Sequence, residues 1–125
     1  MEEQMNQKEF YTENRPWGSF TVIDSGENYK LKRIEVLPHK RLSLQKHLYR
    51  DEYWTVIQGK GEVQIEDGII EAGPGKMYHI PIEAKHRISN TSNIKLIFFE
   101  VQMGDKLEEN DIIRYEDDYG RIKNG

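Results

Sequence analysis

The 125-residue chain contains no cysteine. That excludes a disulfide framework, a thiolate metal site and a cysteine nucleophile, so any metal must be held by histidine, carboxylate or amide oxygen. Long apolar runs are missing too. No stretch approaches the length that spans a bilayer, and the opening MEEQMNQKEF has neither the basic nor the apolar region of a signal peptide. A cytoplasmic protein with no membrane partner is therefore expected. Positive charge is not in excess: 18 Lys and Arg against 22 Asp and Glu leave a net charge of −4, which argues against nucleic acid as a partner. Hydrophobic residues are scarce at 36% and charged ones plentiful at 32%, a balance that suits a thin two-layer fold or a barrel. The length allows one domain with a core that needs no staples. No segment before residue 103 carries a helical stripe, and there is no internal repeat.

What is present is a succession of short β runs broken by turn residues. Ser19–Asp24, Tyr29–Leu37, Leu42–Leu48, Tyr53–Ile57, Glu62–Glu66, Ile69–Ala72, Met77–Ile80, His86–Asn90 and Ile94–Gln102 read as strands. Ser25-Gly26-Glu27-Asn28, Gln58-Gly59-Lys60-Gly61, Asp67-Gly68 and Gly73-Pro74-Gly75 punctuate them. Many strands at short spacing predict an all-β sandwich or barrel in a single domain. Residues 1–14 have few apolar anchors and are expected to form a loose arm, or a strand lent to a neighbour. Residues 15–125 form the domain, ending in an acidic, turn-rich tail from about residue 104 that is pinned by Leu107, Ile112, Ile113, Tyr115 and Tyr119.

Strand parity sorts the side chains around residue 45. Arg41, Ser43, Gln45 and His47 fall on one face, and Leu42 and Leu44 on the other. Glu52 follows across a short turn and shares its face with Trp54 and Val56; His86 is a fourth candidate ligand. Either histidine alone would read as an ordinary surface or core residue. As an ordered set with an amide and a carboxylate, they suit a divalent metal with open positions for water or substrate.

These residues also carry a family resemblance. Pro38–Gly61 fits the first cupin motif, G-x5-H-x-H-x(3,4)-E-x6-G, with Gln45, His47, Glu52 and Gly59 in register and His39 in place of the opening glycine. The second motif, G-x5-P-x-G-x2-H-x3-N, is matched by Gly75, Pro81, His86 and Asn90. Arg15-Pro16-Trp17-Gly18, the run from Leu42 to Trp54, Glu100-Val101-Gln102 and Asp111–Arg121 make the resemblance narrower. They are similar to the isomerase domain of type II phosphomannose isomerases, which commonly follows a mannose-1-phosphate guanylyltransferase domain. Tyr53 stands where that family usually has His. The resemblance implies a cupin, a double-stranded β-helix or jelly-roll barrel. It also implies Gln45, His47, Glu52 and His86 as ligands of one divalent ion, zinc first, with manganese, iron, cobalt or nickel as alternatives.

The implied reaction interconverts mannose 6-phosphate and fructose 6-phosphate through an enediol. It needs an electrophile at the sugar oxygens, a proton-transfer group and cations for the phosphate. Lys32 shares a strand face with Ile34 and Val36, the expected barrel interior, where an unpaired ammonium is costly unless it serves a site. It is expected to transfer a proton or stabilise an oxyanion, with Glu100 as the alternative base. Arg41, Arg87 and Arg114 are phosphate candidates because guanidinium matches phosphate oxygens two at a time, although Arg114 reads equally as a structural ion pair. Trp17 and Tyr78 are expected at the wall and mouth of the pocket or in plain packing. Competing readings are a metal cupin of another activity, such as an oxygenase or an activated-sugar epimerase, and a non-catalytic sugar-binding module. A homodimer is expected by fold analogy; Leu42, Leu44, Ile97 and Phe99 are candidates for its outer apolar face, and read equally as packing under the N-terminal arm or the C-terminal tail.

Overall fold

The structure, a computed structural model, describes residues 10–122. In chain order the strands are β1 (Tyr11–Arg15), β2 (Gly18–Ser25), β3 (Tyr29–Val36), β4 (Leu44–Lys46), β5 (Asp51–Gln58), β6 (Gly61–Ile65), β7 (Gly68–Ala72), β8 (Met77–Ile80), β9 (His86–Asn90), β10 (Leu96–Met103) and β11 (Ile113–Glu116). They form two antiparallel sheets. One runs β1-β2-β3-β10-β5-β8 and the other β11-β4-β9-β6-β7. Among the described residues there is no helix long and apolar enough to cross a membrane.

Period-two alternation explains the long strands. In β2, β3, β5 and β10 every second side chain is buried, and the intervening ones are half-buried or exposed. Val36, Val56, Leu96 and Phe98 are fully enclosed, with Trp54 nearly so. Burial of each such side chain is worth about 1.5–3 kcal/mol. The inward rows are not uniformly apolar, however. β3 runs from Lys32 to Ile34 and Val36, β5 from Glu52 to Trp54 and Val56, and β10 from Leu96 and Phe98 to Glu100 and Gln102. The register aligns these gradients, pairing Phe98 with Ile34 and Val56, Glu100 with Lys32 and Trp54, and Gln102 with Glu52. One end of the barrel is therefore apolar core and the other holds buried ionisable groups.

Two glycines permit close approaches between neighbouring strands within a sheet. At Gly61 a Cβ would sit 1.9 Å from the Ser89 carbonyl oxygen, and at Gly18 2.0 Å from that of Glu35. His39, in the position where the motif has glycine, keeps the left-handed backbone (φ 62°) and bonds Asn93 Oδ1 through Nε2 at 2.7 Å.

Three expectations about local structure are corrected. The described part of the N-terminal arm is not loose: β1 pairs with β2 of its own chain from Tyr11 to Arg15. The tail contributes a strand, β11, to the edge of the second sheet beside β4. Strand parity fails before β4, because regular pairing begins only at Leu44 and Arg41 makes an isolated bridge to Ser89. The break turns Arg41 outward and lets Leu42 pack against the core, so Leu42 is not part of an outer apolar face. Leu44, Ile97 and Phe99 are half-buried.

Candidate metal centre and adjoining cavity

β4 delivers Gln45 and, one residue past its end, His47. The Leu48–Arg50 turn brings the chain back so that Glu52 enters at the start of β5, and β9 opens with His86. Gln45 and His86 are directly opposite across the β4–β9 pair. The ligand atoms of His47, Glu52 and His86 all lie within 4.8 Å of one another, and all three residues are buried. His47 Nε2 is 3.2 Å from Glu52 Oε2, and His86 Nε2 is 3.8 Å from Oε1.

Both imidazoles are oriented by backbone carbonyls. His47 Nδ1 donates to Asp111 O at 2.7 Å and His86 Nδ1 to Ala84 O at 2.9 Å. A carbonyl can only accept, so each proton sits on Nδ1 and each Nε2 lone pair faces the carboxylate. This is the arrangement of metal-binding histidines. Burial pushes His47 down to about 4 and lowers His86 as well, so both are neutral at pH 7. Burial alone would raise the Glu52 carboxyl, but its charged neighbours hold it well below the usual carboxylate range. With both histidines neutral, the pull at pH 7 comes from Arg50, whose Nε donates to Glu52 Oε2 at 2.8 Å. Trp54 Nε1 donates to Oε1 at 3.0 Å. The amide of Gln45 donates to Ser43 O and Oγ at 3.2 and 3.1 Å, leaving its oxygen free of hydrogen bonds among the described residues. Two neutral imidazoles, an ionised carboxylate and an amide oxygen fit a divalent ion of the zinc, manganese or iron(II) type. Arg50 Nη2 also reaches His47 Nε2 at 3.3 Å, so a guanidinium rests on two of these atoms.

A cavity of about 90 Å³ adjoins the cluster, lined by Trp17, Lys32, Gln45, His47, Arg50 and Arg114 among others. Lys32 is buried as its strand face implied, yet it is not unpaired. Its Nζ lies 2.9 Å from the Glu109 carboxylate and 4.0 Å from the centre of the Phe20 ring. Glu100 is also buried, accepting a hydrogen bond from Gln102 Nε2 at 2.7 Å, and does not line the cavity. Burial first and the charge of Glu52 second push its carboxyl up to about 8. At neutral pH it therefore carries a proton, which suits an acid better than the base expected from sequence.

Three expected substrate contacts do not line the cavity. Arg41 is half-exposed and doubly bonded to Asp118, at 2.8 and 3.0 Å. Arg87 alternates with His86 on β9, donates to Leu42 O at 3.1 Å and pairs with Glu116 at 3.0 Å. Tyr78 packs against the core with its hydroxyl donating to Glu71 O at 2.6 Å. Other residues belong here that strand periodicity did not point to. Asp111 orients His47 through its carbonyl and caps the Leu48 and Tyr49 amides with its carboxylate, at 2.9 and 3.1 Å. Arg15, Glu109 and Arg121 line the cavity. Their only sequence signal was membership of the Arg-Pro-Trp-Gly and tail segments, which assigned them no task.

Comparison with known proteins places this geometry. A family model described as mannose-6-phosphate isomerase C-terminal matches residues 2–117. The chain belongs to that family. Mannose-1-phosphate guanylyltransferase ManC of Salmonella typhimurium is 43% identical over 108 residues, covering 86% of this chain. The chain spans only 22% of the length of ManC. The fold is that of the cupins. A double-stranded β-helix protein of Klebsiella pneumoniae matches with a TM-score of 0.66 and 18% identity, over 77% of this chain and 82% of that one. The cupin domain of Schizosaccharomyces pombe Cnp3 matches at 0.67 with 14% identity, over 70% and 64%. In this member of the isomerase C-terminal family, the residues that could hold a metal are His47, Glu52 and His86, with Gln45 beside them.

Proposed function

We propose that the chain is a metal-dependent aldose–ketose isomerase that interconverts mannose 6-phosphate and fructose 6-phosphate. The observation that carries the reading is the convergence of His47, Glu52 and His86, each histidine fixed in the tautomer that puts a lone pair on Nε2, beside a cavity lined by cations. Family membership supports the substrate pair. A divalent ion bound there would supply Lewis acidity toward the sugar oxygens.

The chain's own groups supply the rest. Lys32 presents an ammonium at the cavity wall and stabilises an enediolate oxygen as it gains charge. Glu100, protonated at neutral pH and paired with Lys32 across the β3–β10 register, serves as a proton donor in this reading. Glu109 is the acidic residue that lines the cavity, held ionised by Lys32 and Lys30. It is the group that would take the carbon-bound proton. Trp17 walls the cavity and limits water around the intermediate.

The test is interconversion of the two sugar phosphates by the metal-loaded chain, with exchange of the C2 proton followed by NMR in deuterated water. No interconversion and no exchange, with any of the divalent ions named above, would sink the proposal. Oxygen uptake with iron(II) in its place would move the chain to an oxygenase chemistry.

A further inference from the structure

Arg114 differs from the other described arginines. Each of those is bonded to a carboxylate: Arg15 to Glu13, Arg33 to Glu35, Arg41 to Asp118, Arg50 to Glu52, Arg87 to Glu116 and Arg121 to Asp117. Among the described residues Arg114 makes no such bond. Its Nε is buried without a hydrogen-bond partner, although it lines the cavity beside Arg15 and Arg121. A desolvated donor with no acceptor is costly, and like charges alongside add to the cost. Burial and the charges of Arg121 and Arg15 oppose its protonated form, against a smaller contribution from Asp117. An anion beside Arg114 would satisfy the buried Nε and offset the positive charge of the three arginines.

The sheet register says where that anion would lie. Arg114 on β11 is paired with Gln45 on β4, and Gln45 with His86 on β9, so the three form one row across neighbouring strands. Cross-strand partners project from the same face, and strands are spaced about 4.8 Å apart, so the Arg114 backbone lies about 10 Å from that of His86. Gln45 stands between them. An open-chain hexose phosphate bridges such a span, with its carbonyl end at the His47–Glu52–His86 cluster and its phosphate at Arg114.

We infer that Arg114, flanked by Arg15 and Arg121, is the seat of a phosphate group at the end of the cavity remote from His86. Its guanidinium fork takes two oxygens of a phosphate monoester. Arg15 and Arg121 stay on their carboxylates and contribute field more than contact. The seat itself follows from the unpaired guanidinium; its identity as the holder of the substrate's phosphate rests on the isomerase reading. Arg41 and Arg87 have no part in it.

Inorganic phosphate is the probe, titrated calorimetrically into the full-length chain in metal-free buffer so that it cannot bind through a metal ion. One saturable site is expected, weakened at least tenfold in Arg114→Gln, severalfold in Arg15→Gln and unchanged in Arg41→Gln. Arg114→Lys keeps the charge without the fork and should recover only part of the loss. Phosphate should raise the melting temperature of the native chain and leave that of Arg114→Gln unmoved. Without phosphate, Arg114→Gln should melt no lower than the native chain, because it loses an unpaired charge. A merely structural arginine would instead lower the melting point. No saturable binding, or equal binding by Arg114→Gln, overturns the seat. Turnover separates the two readings. If mannose 6-phosphate is isomerised with the same KM by Arg114→Gln, the seat falls and the isomerase stands. If phosphate binding depends on Arg114 but no sugar phosphate turns over, the isomerase falls and the seat stands.

Discussion

Replacing Trp54 by Phe isolates one hydrogen bond at the metal cluster. The indole Nε1 donates to Glu52 Oε1 at 3.0 Å, while the ring packs 4.9 Å from Phe98 and 5.6 Å from His86, centroid to centroid. Phe retains an aromatic in that position and removes the donor. A hydrogen bond to a buried, ionised carboxylate is worth about 1.5–3 kcal/mol, so the metal-free chain should lose roughly 2 kcal/mol of stability in urea unfolding. A second route reaches a similar magnitude. Removing a group that orients a ligating carboxylate costs about 10–100-fold in metal affinity, and at about 1.4 kcal/mol per decade that is about 1.4–2.8 kcal/mol. Zinc affinity, read by competition with a chromophoric chelator, should therefore fall by that factor. If stability falls while affinity stays within about threefold, Trp54 does not hold Glu52 for a metal and the reasoning fails.

The pH dependence of the metal-free chain has a worked sign. His47, lowered from 6.5 to about 4, adds stability that is present above pH 6.5 and lost as pH falls through 4, and His86, also lowered, contributes in the same direction. Glu100, raised from 4.5 to about 8, adds stability that is present below pH 4.5 and lost as pH rises through 8. The unfolding free energy from urea titration should peak near the histidines' unfolded value and decline by up to about 2 kcal/mol toward pH 8, and Glu100→Gln should flatten that decline. Gly61→Ala drives a methyl into the Ser89 carbonyl at 1.9 Å and should cost about 3 kcal/mol or more, visible as a large drop in melting temperature. Arg41→Ala removes an ion pair that is 43% exposed on both sides, and should change stability by less than about 1 kcal/mol with zinc affinity intact.

Strand periodicity made most of the barrel legible, because its long strands bury one face and alternate cleanly. Lys32, Glu52 and Glu100 could be placed indoors from their strand neighbours alone. The method failed where the strand was short. β4 pairs regularly over Leu44–Lys46 only, so counting back to Arg41 carried the alternation through a break and reversed Arg41 and Leu42. β11 was invisible for a different reason. Its Ile113-Arg114-Tyr115-Glu116 is half-buried to exposed at the edge of a sheet, inside an acidic stretch that resembles solvated loop. The contact of Lys32 with Glu109 spans 77 residues, and no local pattern could announce it. The role of Asp111 in orienting His47 was beyond reach as well, since a backbone carbonyl can come from any residue type.

That last contact has a consequence for how the protein is made. His47 receives its orienting carbonyl from a residue 64 positions further along the chain, and the same tail brings Glu109 to Lys32 and Arg114 beside Gln45. During synthesis the barrel strands through β10 are out of the ribosome before this segment, and folding can begin on them. Until residue 111 emerges, the His47 ring is free to turn and either nitrogen can carry the proton. Without the docked tail, the His47–Glu52–His86 cluster would be less well organised for a divalent ion. A chain stalled or cleaved before that point would be folded in outline and would lack the carbonyl that fixes the His47 ring.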